Sequence, residues 1–213
     1  MKLFTKLLML LLIPLTAHAG VATQDYVEFS RDRLVNITNV IDGSGISYAN
    51  QIANLTEADV KRPIDILINS PGGLVLTGNL VIQAMEAAKF RGVTIRCFTA
   101  VMAASMAFSM YHHCTERYAY NKSLFLFHPA RVMGIETLTG RDAKKLADKL
   151  LPGDAELLED LGSMGMDKDV MEEAFYDERM WTGKELAEAT KSGYIVLVKD
   201  IRGIGNPFRF LGR

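Results

Sequence analysis

Between residues 33 and 127, short apolar runs alternate with stretches whose apolar residues recur at helical spacing. Arg33–Thr38 alternates apolar and polar positions, as a half-buried strand does. Asp42-Gly-Ser-Gly45 turns the chain into a helix predicted over Ile46–Asn54. Ile64–Ile68 is a short buried-type strand, bounded by Lys61-Arg-Pro63 and Asn69-Ser-Pro-Gly-Gly73. In Gly78–Phe90 the apolar residues Leu80, Ile82, Met85 and Ala88 keep close to the helical period. Gly92–Phe98 reads as the next strand, and small residues, Thr99–Ala104, lead to Ser105 and a second apolar helix. Strand–helix–strand–helix–strand–helix implies right-handed parallel crossovers.

The second half is more polar. Arg117–Tyr120 and Leu124–Phe127 are two short strands around Asn121-Lys-Ser123, the second ending at His128-Pro129. Gly140 opens a charged amphipathic stretch, Arg141–Leu151, which Pro152-Gly153 is expected to interrupt. Helices follow over Ala155–Leu161 and Asp167–Phe175. A third, capped by Thr182 with Glu185 three residues on, exits at Gly193. Tyr194–Val198 is the expected last strand. Gly20–Arg33 is polar and partly extended, and a basic tail ends the chain.

Composition removes several classes of function. Lys and Arg number 24 against 25 Asp and Glu, so there is no basic footprint for nucleic acid. Met1–Lys6 is a short basic start, Leu7–Leu15 an apolar run, and Ala17-His-Ala19 a cleavage site. This pattern predicts a signal peptide over residues 1–19, a single domain over residues 20–213 and a periplasmic or secreted protein. The two cysteines are Cys97, in the strand before Ser105, and Cys114, at the end of the helix after it. A helix running back along its strand brings such a pair within bonding range. His112 and His113 are adjacent and point apart on a helix, so no metal site is expected, and no cofactor.

The chemistry gathers at three strand ends. Ser105 stands at a strand-to-helix turn, where free backbone N–H groups can hold a developing negative charge. This is the logic of a nucleophile elbow without its G-x-S-x-G spelling; the plain alternative is a helix N-cap. Gly72-Gly73 can expose N–H groups with no Cβ in the way. His128 is placed to act as general base for Ser105.

Three segments together, Asn69-Ser-Pro-Gly-Gly73, Ala103-Ala-Ser-Met106 and Phe127-His-Pro129, resemble the Clp protease proteolytic subunit family in order and interval. The resemblance runs from about Arg33 to Val198. It implies an α/β chain of ClpP/crotonase-like fold: mostly parallel strands alternating with helices, plus a C-terminal helical handle region to which Arg141–Leu151 corresponds. It further implies a serine peptidase, with Ser105 as nucleophile, His128 as base and the N–H groups of Gly73 and Met106 as oxyanion hole. The family's aspartate falls on Glu178 when counted back from Thr182, with Asp177 one residue earlier. Alternation along an extended segment would turn these two carboxylates to opposite faces. Val101 and Ala107 replace glycines usual around the serine. The handle implies a homo-oligomer, with ring assembly as one form.

The family's proteolytic subunits are cytoplasmic and are fed by an ATP-driven unfoldase. An export signal instead implies a stand-alone peptidase acting on peptides or unfolded protein, with no cytoplasmic unfoldase. Other readings are a Ser/Lys dyad like that of signal peptide peptidases, with Lys122 nearest in sequence, a crotonase-type acyl-thioester enzyme, and an inactive relative of the fold.

Overall fold

A computed structural model describes residues 20–132 and 139–208. The expected signal peptide and the last five residues lie outside the described residues. Six strands form one sheet: β1 (Thr23–Glu28), β2 (Leu34–Thr38), β3 (Ile64–Asn69), β4 (Ile95–Thr99), β6 (Glu116–Ala119) and β9 (Val196–Arg202). Their order is β1-β9-β6-β4-β3-β2, and every neighbouring pair is parallel. A smaller sheet holds β5 (Met102–Ala104), β7 (Leu124–Leu126) and β8 (Trp181–Thr182). In it β5 and β7 are parallel, and β7 and β8 antiparallel.

Strand β3 shows why the large sheet is buried on both sides. Ile64, Ile66 and Ile68 point into the main core with α1 (Ser44–Ala58), α2 (Val75–Phe90) and α3 (Met106–His112). Leu67 points the other way, into a cluster with Phe29, Phe98, Tyr118 and Val198. The two-residue period of a strand therefore supplies both cores. Three further helices, α4 (Gly140–Leu161), α5 (Lys168–Tyr176) and α6 (Gly183–Ala189), complete the fold.

Several elements differ from the sequence expectation. The first helix extends four residues past Asn54, to Ala58. The polar N-terminal stretch contains β1, whose Thr23 pairs with Leu197 of β9. That last strand starts at Val196 because Tyr194 and Ile195 are drawn into the core, where Tyr194 Oη lies 2.6 Å from His112 Nδ1. The helix capped by Thr182 has the full capping box, but it stops at Ala189, before Gly193. The strands at 117–120 and 124–127 belong to different sheets. Between them Ser123 donates its hydroxyl to the Thr99 carbonyl at 2.6 Å, pinning the crossing point.

Pro152 does not interrupt the handle stretch: α4 runs unbroken through it. The helix loses one backbone donor there. The following turn is held from outside, by Asp154 accepting from the Ala130 N–H at 2.8 Å and by Leu157 and Leu158 packing on the core. Tertiary contacts override local propensity. Cys97 and Cys114 are joined in a disulfide, with Cα atoms 6.0 Å apart.

Candidate active site

The end of β3 is bolted to the segment that carries Ser105. The Asn69 side-chain carbonyl accepts from the N–H groups of Ala100 (3.0 Å) and Val101 (2.9 Å). Ser70 donates its N–H to Met102 (2.9 Å), and its carbonyl accepts from Ala104 (3.1 Å). The Ser70 hydroxyl donates to the Asn39 carbonyl (2.5 Å) and accepts from the Gly72 N–H (3.1 Å). Asn69-Ser70 thus fixes where the next three residues pass.

The last two of them require glycine. Gly72 and Gly73 have φ of 96° and 152°. A Cβ on Gly72 would lie 2.7 Å from Ser105 Cβ and 3.0 Å from Met106 N; one on Gly73 would lie 2.1 Å from the Ile41 carbonyl oxygen. Ile41 donates to the Gly72 carbonyl and accepts from the Leu74 N–H, which leaves the Gly73 N–H outside that pairing. Among the described residues neither the Gly73 nor the Met106 N–H donates a hydrogen bond.

Ser105 is not an ordinary cap. Its φ is 55° and its ψ −128°, and its side chain makes no capping bond, whereas an N-cap has extended backbone and accepts from the next turn. A non-glycine residue held there stores about 1–3 kcal/mol of strain, which the surroundings must impose. They do so through the backbone. The Ser105 N–H donates to Leu126 at 2.8 Å, and its carbonyl accepts from Phe108 (2.9 Å) and Ser109 (3.2 Å). Phe108 then anchors α3 against Phe125 and Phe127.

The bond to Leu126 places Ser105 beside the end of β7, two residues before His128. The His128 Nδ1–H donates to the Pro129 carbonyl at 2.6 Å. That tautomer leaves Nε2 free to accept a proton. Among the described residues the Ser105 hydroxyl and the His128 ring do not bond to each other.

Glu178 lies against Arg131. The guanidinium, and more weakly the His128 imidazole, hold its carboxyl below the ordinary carboxylate value. The expected extended alternation at this point is absent. Asp177 is the helical C-cap of α5, and Glu178 has φ 55°. Alternation holds only further on, where Met180 is exposed and Trp181 buried.

The family model for Clp protease matches residues 18–195. The chain belongs to the Clp protease family. No curated protein matches it. For a Clp protease the six parallel strands and their flanking helices are the expected frame. Strands β3, β5 and β7 end at the three motifs that carry the resemblance. Arg131 was not foreseen: an arginine three residues after a histidine has no motif value. Lys122 is exposed in the turn before β7, and among the described residues no hydrogen bond joins it to Ser105.

Proposed function

We propose that this Clp protease family member is an exported serine endopeptidase that cuts short, unfolded or exposed polypeptides without an ATPase partner. One observation carries the serine mechanism: Ser105 stands in a strained elbow, with no capping bond, directly beneath Gly72-Gly73. His128 Nε2 takes the Ser105 proton as Oγ attacks the scissile carbonyl. The N–H groups of Gly73 and Met106 hold the oxyanion, and His128 returns the proton to the leaving amine. Water then repeats the cycle on the acyl-enzyme. Glu178 is the third member of the triad and stabilises the charged imidazole.

Export is supported by the basic, apolar and Ala-His-Ala pattern of residues 1–19, and by the Cys97–Cys114 bond, which persists in oxidising compartments. Self-association is supported by family membership, whose members typically form oligomeric rings. The test is hydrolysis of casein and a peptide panel by protein lacking residues 1–19, without ATP. Cleavage by the wild type that disappears in Ser105→Ala is expected. Equal cleavage by both would overturn the reading.

A further inference from the structure

The candidate triad is not closed in this structure, and both groups of its histidine–acid bond have other partners. The Nδ1–H of His128, which would face the acid, is given to the Pro129 carbonyl. The Glu178 carboxylate is given to Arg131. We propose that Arg131 is a positioning residue that withholds the Glu178 carboxylate from His128, so that the third triad member engages only when the Arg131–Glu178 ion pair opens. The proposal rests on the serine-peptidase reading of Ser105 and His128, but concerns a contact that exists whether or not the chain cuts peptides.

Three features support a latch. Glu178 is one of three described non-glycine residues with positive φ, together with Asn39 and Ser105, which sets its backbone apart from the extended segment that follows. Arg131 is held from behind: its neighbour Ala130 donates its N–H to the buried Asp154 of α4. Two nearby charges have other commitments: Arg179 lies over the Trp181 ring, 4.0 Å from its centre, and Glu185 accepts from the Thr182 N–H. The pair itself is open to water, with Arg131 60% and Glu178 37% exposed. Such pairs bias an equilibrium by only about two- to fivefold, which suits a contact made to open.

The experiment is a pH titration of the His128 imidazole by NMR, its signal assigned through loss in His128→Gln. It compares wild type, Arg131→Gln, Glu178→Gln and the double variant. Freeing the carboxylate raises the His128 pKa, because a nearby negative charge favours the protonated ring. Arg131→Gln is expected to raise it by about 0.5–1 pH unit, and in the Glu178→Gln background the same change is expected to do little. In parallel kcat rises about two- to fivefold in Arg131→Gln with KM unchanged, and Arg131→Lys returns towards wild type. An equal rise in both backgrounds would reduce Arg131 to a bare positive charge and overturn the latch. So would no rise, or a fall of kcat in Arg131→Gln to the level of Glu178→Gln. Failure of the peptidase reading is distinct: hydrolysis surviving in Ser105→Ala removes that reading while the titration still decides the latch.

Discussion

Gly72 and Ser105 form one strained unit, and the cost of disturbing either can be stated. An alanine at Gly72 would need positive φ and would push its methyl into the Ala104 carbonyl, 2.6 Å away, and into Ser105 Cβ. Gly72→Ala is expected to lower stability by about 1–3 kcal/mol and turnover by about 10²-fold or more, because the elbow and the Met106 N–H move together. Urea denaturation and peptide kinetics on one preparation check both. Glu178→Gln is expected to lose roughly 10⁴ in kcat at pH 7–8, while Asp177→Asn stays near wild type. The reverse ranking would shift the acid by one residue. Ser105, His128 and the glycines were legible because their chemistry needs those residue types at strand ends. The Arg131 and Pro129 partners were not, because a side-chain partner depends on turns that no periodicity encodes. The alternation argued for residues 177 and 178 failed for the same reason: the end of α5 sets the backbone there.

At the level of elements, α3 is held at both ends. Its start is the elbow, and its end is tied to β4 by the Cys97–Cys114 bond, a loop of 17 residues. Replacing both cysteines by alanine is expected to cost about 3 kcal/mol in the chain-entropy model, read as a lower urea midpoint that reductant no longer affects. Beside Cys114, His113 bridges Glu86 of α2 at 2.8 Å and Asp160 of α4 at 3.2 Å. Burial alone would depress its pKa, but the bonds to Asp160 and Glu86 outweigh burial and raise it above the ordinary 6.5. A raised histidine stabilises fully below its unfolded pKa, and that contribution is lost as pH rises through the folded value. His112 is pushed down to about 4 by burial and stays neutral across that window. His113→Gln is therefore expected to cost more stability at pH 6 than at pH 9; an equal cost at both would contradict the bridge. Helices with long apolar periods and a capping box were legible. Strand β5, three residues long, is too short for a period to show, and α4 crosses Pro152 because contacts from elsewhere in the chain hold it.

For the whole molecule, the parallel sheet followed from the strand–helix alternation, since parallel neighbours need crossovers. The pairing of β1 with β9 did not, because it joins the two ends of the domain. Two surfaces point outward with apolar residues. Leu74, Val75 and Leu76, which follow Gly73, are all more than half exposed. The first half of α4 stands clear of the core, with Leu151 also more than half exposed. With oligomeric rings typical of the family, sedimentation of the protein is expected to show an assembly, weakened by Leu76→Asp; a monomer at micromolar concentration would contradict this.

The central claim is that Ser105 is an activated nucleophile. A serine-reactive phosphonate tests it directly, applied to protein lacking residues 1–19 in the absence of ATP, with the adduct mapped by mass spectrometry. The account predicts one label per chain, on Ser105, slowed sharply in His128→Gln and absent in Ser105→Ala. No label on Ser105 in a protein that still hydrolyses peptides would contradict it.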